Sequence, residues 1–73
     1  MVKAIYSEEH RSLVLKLKKA RKEAGLGQED VAKTLKVSQS YISKIEAGQR
    51  RVDIVQLKAF AKIYGKQIDY FIK

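Results

Sequence analysis

Apolar residues along this chain recur at helical intervals. Leu13, Leu17, Ala20 and Ala24 fall at spacings of four, three and four, which lines one side of a 3.6-residue helix. Ser7 stands before them as an N-cap, Glu8 and Glu9 occupy the first turn where the helix dipole favours acid, and Gly25 ends the segment. Val31, Ala32 and Leu35 form a shorter stripe, opened by Gly27 and broken at Lys36 and Val37. Ser38 then caps a third helix with Ile42 and Ile45 inward and Gly48 at its C-terminal cap. Asp53 caps a fourth, whose Ile54, Leu57, Phe60, Ala61 and Tyr64 keep the period up to Gly65, and Ile68, Phe71 and Ile72 add one or two turns more. The pattern predicts an all-α fold, a compact bundle of five helices with no sheet. Residues 1–6 read equally as a disordered arm, a single strand or an extension of the first helix.

Size narrows the picture. A chain of 73 residues buries only roughly 60% of its unfolded surface, so residues 1–73 are expected to form a single domain around one core. There is no cysteine, so no disulfide and no thiolate metal site is available, and neither metal nor cofactor is expected. Apolar residues at 45% and charged residues at 33% give the balance of a folded domain. No apolar run approaches the roughly 20 residues of a membrane span, and Met1 to His10 lacks a signal-peptide core, so a cytoplasmic protein is expected.

Charge points to a partner. Sixteen Lys and Arg against eight Asp and Glu leave +8, which favours a polyanion, with nucleic acid ahead of an anionic membrane. A membrane surface fits poorly, because no helix carries a continuous apolar face flanked by lysines. Catalysis fits worse. His10 is the only histidine, it sits in the first turn, and no paired carboxylates accompany it, so the chain is not expected to be an enzyme.

Gln28 to Gly48 satisfies the demands of a helix-turn-helix, in which the second of two short helices stands out as a ridge for the major groove. Ala32 is small where the two helices cross, and Ile42 and Ile45 anchor the exposed helix from below. Its outward positions are Gln39, Ser40, Tyr41, Ser43 and Lys44, an acid-free run at the end that meets base edges. Gln pairs bidentately with adenine, Lys donates to guanine, and Ser serves either way. Arg50 and Arg51 follow in the loop, within reach of phosphates or the minor groove. Lys16, Lys18, Lys19 and Lys22 form a charge run on helix one that points in several directions and is mostly solvated.

The segment LGQEDVAKTLKVSQSYISKIEAGQRR resembles the phage-repressor helix-turn-helix family, the XRE-type class of Cro and the lambdoid repressors, and VDIVQLKAFAKIYGKQIDYFI continues the likeness. It spans about Leu13 to Ile72. The resemblance implies a lambda-repressor-like domain and a transcriptional regulator, repressor or autoregulator, that binds a palindromic operator on double-stranded DNA as a homodimer in a bacterial or phage setting. It also implies that Gln28 bonds a phosphate, joined by Ser38, Arg50 and Arg51, and that Gln39, Ser40 and Lys44 contact bases, with Tyr41 and Ser43 able to do either. Arg21 is expected to pair with Glu46, and Tyr70 and Phe71 on the last helix to make dimer contacts.

Three positions depart from the family pattern: Lys36 where glycine is usual in the turn, Val52 for proline, and Gly27 for a Ser or Thr cap. A side chain at a left-handed position costs about 1 kcal/mol, so a slightly remodelled turn is expected. An antitoxin that also holds a toxin, or a coactivator-type module bridging to polymerase, would keep the same helices.

Overall fold

The computed structural model describes residues 7–72, and the arm expected at residues 1–6 lies outside them. Five helices follow one another: α1 Glu8–Glu23, α2 Gln28–Leu35, α3 Gln39–Glu46, α4 Ile54–Tyr64 and α5 Ile68–Ile72. Local chemistry starts each of the first four. Ser7 accepts the His10 amide at 3.0 Å and Ser38 accepts that of Tyr41 at 3.1 Å, each satisfying an orphan donor of a first turn. Asp53 and Gln56 form a reciprocal capping box, the carboxylate accepting the Gln56 amide at 2.8 Å and the Gln56 side chain accepting the Asp53 amide at 3.1 Å. Gly27 has no side chain to cap α2, and the Asp30 carboxylate instead takes the Gly27 N–H at 2.8 Å.

One core joins all five helices: Leu17 and Ala20 of α1, Val31 and Ala32 of α2, Ile42 and Ile45 of α3, Leu57, Phe60, Ala61 and Tyr64 of α4, and Phe71 of α5. α1 packs on α3, α4 and α5, while α2 pairs mainly with α3. The buried face of α1 is His10, Val14, Leu17, Ala20 and Arg21, which rotates the expected stripe by about one position. Leu13 is half-buried and Ala24 is exposed, because Ala24 already caps the helix and the chain leaves it at Gly25 with φ 74°. Ile54 and Ile72 were also expected inward, yet they are 55% and 63% exposed. They sit at the outer ends of α4 and α5, where periodicity continues but burial does not.

The turn between α2 and α3 places a side chain at a left-handed position. Lys36 itself adopts the left-handed conformation, with φ 60° and ψ 43°, and Val37 donates to the Ala32 carbonyl at 2.9 Å in the 6→1 closure of a helix C-terminus. Lys36 is the one non-glycine residue with positive φ among the described residues. Lys36→Gly is therefore expected to raise stability, by up to about 1 kcal/mol after glycine's greater freedom in the unfolded chain is set against the relief. Thermal unfolding checks it, as a rise in Tm of up to about 4–8 °C. An unchanged or lower Tm would show that the turn stores no strain.

Candidate nucleic-acid interface

Ile42 and Ile45 are fully buried, which fixes the rotation of α3 and turns Gln39, Ser40, Ser43 and Lys44 out to solvent. Tyr41 behaves differently from those four. Its ring is half-buried against the core and carries the Arg50 guanidinium over its face at 4.6 Å from the ring centroid. Tyr41 thus orients an exposed cation in the loop after α3, and Arg51 beside it is exposed as well. The N-cap Ser38 is exposed at the start of the same helix.

Beneath this surface lies a polar clamp. Arg21 Nε and Nη2 donate to the two Glu46 carboxylate oxygens at 2.7 and 3.0 Å, a bidentate fork, and Nη1 donates to the Leu26 carbonyl at 2.8 Å. Gln28 Nε2 gives a further bond to Glu46 Oε1 at 3.1 Å. Both side chains of the pair are nearly buried, at 10% and 5% exposure. The hydrogen bond to Glu46 raises the Arg21 pKa further above its already high value, against the opposing effect of burial, so the guanidinium is charged at any working pH. One carboxylate therefore joins the end of α3 to α1 and to the first residue of α2. Arg21 also neutralises Glu46, an acid at a helix C-terminus where the dipole disfavours it.

Gln28 sits where the sequence placed it, at the start of α2, and gives one of its two side-chain N–H groups to Glu46, which leaves a second donor on the same amide. Backbone donors stand beside it. The α2 N-terminus has no side-chain acceptor from its N-cap, so its first amides stay open to an anion.

Residues 17–71 match the HTH_3 family, whose description is Helix-turn-helix. The chain belongs to this helix-turn-helix family. Its members are DNA-binding transcription regulators of the XRE type, Cro among them, and the all-helical architecture with α2 and α3 as the motif is theirs. No curated protein matches the chain. No helix among the described residues is long and apolar enough to cross a membrane.

The two residues expected to make dimer contacts differ in exposure. Phe71 is 2% exposed, part of the core and packed edge-on against Tyr70 at 5.0 Å. Tyr70 is half-buried, with Lys66 Nζ over its ring at 4.7 Å. Lys66 is held there by an ion pair to Glu23 at 3.2 Å. The apolar groups that do face solvent at this end are Ile54, Val55 and Ile72. Sequence reading missed them because a residue in the first turn after a cap, or the last of a helix, keeps the period without having a neighbour to bury it. It also missed the Gln28 bond to Glu46 and the stacking of Arg50 on Tyr41, neither of which has a signal in spacing.

Tyr64 lies under the clamp, 6% exposed and stacked on Phe60 at 5.9 Å. Its hydroxyl has no hydrogen-bond partner among the described residues. Burial raises its pKa well above the usual 10, the Glu46 charge adds to this and Arg21 opposes it. A raised folded-state value means stability is fully present below pH 10 and is lost above it, as the unfolded chain ionises first. Tyr64→Phe is expected to leave stability at pH 7 unchanged or about 1 kcal/mol higher, since it removes an unsatisfied buried hydroxyl. Its advantage over the wild type should then widen by up to about 1.4 kcal/mol per pH unit above 10. Urea titrations at pH 7 and pH 11 measure both, and a variant less stable at pH 7 would reveal a bonded hydroxyl.

Proposed function

We propose that the protein regulates transcription by occupying a two-fold symmetric operator as a homodimer, with α3 of each protomer in successive major grooves about 34 Å apart. The observation that carries this is the exposed, acid-free set Gln39, Ser40, Ser43 and Lys44 on a helix locked from below by Ile42 and Ile45. Gln39 and Lys44 have the donor geometry for adenine and guanine edges, and Ser40 and Ser43 adjust to either. Ser38, the open amides at Gln28, and Arg50 and Arg51 hold the flanking phosphates, Arg50 aimed by Tyr41. Occupancy of promoter DNA then represses by excluding polymerase.

The surface that supports pairing is Ile54, Val55 and Ile72. Ile72 lines a groove together with Val52 and Asp53, next in the chain to the start of α4 where Ile54 and Val55 are exposed. In a chain of +8 this apolar region is the place where two like-charged copies approach with least repulsion.

Selection of bound sequences from random duplex DNA tests the reading. Enrichment of an inverted repeat is expected, with affinity falling with salt at a log-log slope of roughly −5 to −9 for six to ten phosphate contacts. Recovery of isolated half-sites overturns the dimer, and no enrichment at all overturns sequence-specific binding.

A further inference from the structure

α1 has a second face that the DNA reading does not use. Opposite its buried side, Leu15 is 66% exposed, with Arg11 at i−4, Lys18 at i+3, Lys19 at i+4 and Lys22 at i+7, all exposed. None of these four cations has an ion-pair partner among the described residues, although the neighbouring Glu23 is paired with Lys66. Lys18 and Lys22 stand one turn apart as like charges, an arrangement that weakens a helix unless an anion offsets it. A single exposed leucine is ordinary. A leucine centred in four unpaired cations is a surface with its own chemistry.

This face lies on a different helix from the recognition surface. Leu17 and Ala20 on the inner side of α1 belong to the same core as Ile42 and Ile45 of α3, which leaves the outer faces of both helices turned to solvent. A duplex held by α3 leaves the outer face of α1 open. A phosphodiester backbone would satisfy the cations but has nothing to cover Leu15, whereas an acidic polypeptide with an apolar side chain satisfies both.

We propose that the outer face of α1 docks an acidic segment of a partner protein, with carboxylates over Arg11, Lys18, Lys19 and Lys22 and one apolar side chain on Leu15, while α3 is free to hold DNA. The probe is a fluorescent peptide of about fifteen residues, mostly Glu and Asp, with two leucines four apart so that one helical turn presents both. A serine-for-leucine peptide of the same charge is its control. Binding to the full-length protein is measured by anisotropy with and without a saturating duplex. The leucine peptide should bind roughly ten-fold more tightly than the serine peptide, as expected for covering part of one leucine, and the duplex should not displace it. Leu15→Ala should bring the two peptides level. The K18E/K22E pair should abolish binding, while K58E/K62E, the same change of charge on α4, should cost less than about threefold. Circular dichroism confirms that each variant is folded. Equal binding by Leu15→Ala and wild type, equal losses from the two charge-reversal pairs, or displacement by the duplex would each overturn the proposal.

Discussion

Glu46→Ala is expected to lower the unfolding free energy by about 3 kcal/mol, the cost of removing one partner from a nearly buried ion pair. The loss comes less from the attraction itself than from what is left behind. Arg21 keeps only its bond to the Leu26 carbonyl, and the Gln28 amide loses its acceptor. A domain of this size has a total stability of only about 4–11 kcal/mol, so a fall in Tm of well over 10 °C is expected. Glu46→Gln, which keeps one acceptor oxygen, should lose about half as much. The double variant Arg21→Met with Glu46→Leu should recover most of it, because an apolar pair of similar volume needs no desolvation. Thermal and urea unfolding measure the series. A loss under about 1 kcal/mol for Glu46→Ala would place the pair with ordinary surface salt bridges.

The second large effect is expected at the DNA face. Substituting Gln39 and Lys44 together by alanine should cost about 2–4 kcal/mol against the selected operator, or roughly thirty- to a thousand-fold, while stability stays within about 0.5 kcal/mol because both side chains are exposed. Affinity for unrelated duplex should fall far less. Arg50→Ala should instead weaken both kinds of site by a similar factor and flatten the salt slope by about one. Titrations of each variant against operator and non-operator duplex separate the two patterns. An unchanged ratio between the two duplexes for the double variant would move sequence reading away from α3.

These expectations depend unequally on sequence and on structure. The surface of α3 is legible in the chain, because Ile42 and Ile45 at three-residue spacing leave only one set of positions to face outward, and Ser38 and Gly48 mark its ends. The clamp is less so. Arg21 and Glu46 are 25 positions apart, and nothing in their local context says that they meet; the family resemblance suggested the pair, and the third partner Gln28 emerges only when α2 and α3 are set at their angle. Tyr41 is the sharper case. As one of five outward positions it reads as a base or phosphate contact, and the tertiary structure adds that its large ring reaches the core and carries Arg50 over its face.

The sequence by itself determined the number of helices, their caps, the helix-turn-helix and the basic balance, since these follow from short-range periodicity, single-residue capping chemistry and composition. Only the tertiary structure decided which members of an apolar stripe are covered. Phe71 lies in the core and Ile54, Val55 and Ile72 lie outside it, because periodicity defines a face and only a neighbouring helix can bury it. It likewise decided that Lys36 bears the left-handed turn, since the packing of α2 on α3 fixes the path of the chain there and the side chain has to follow.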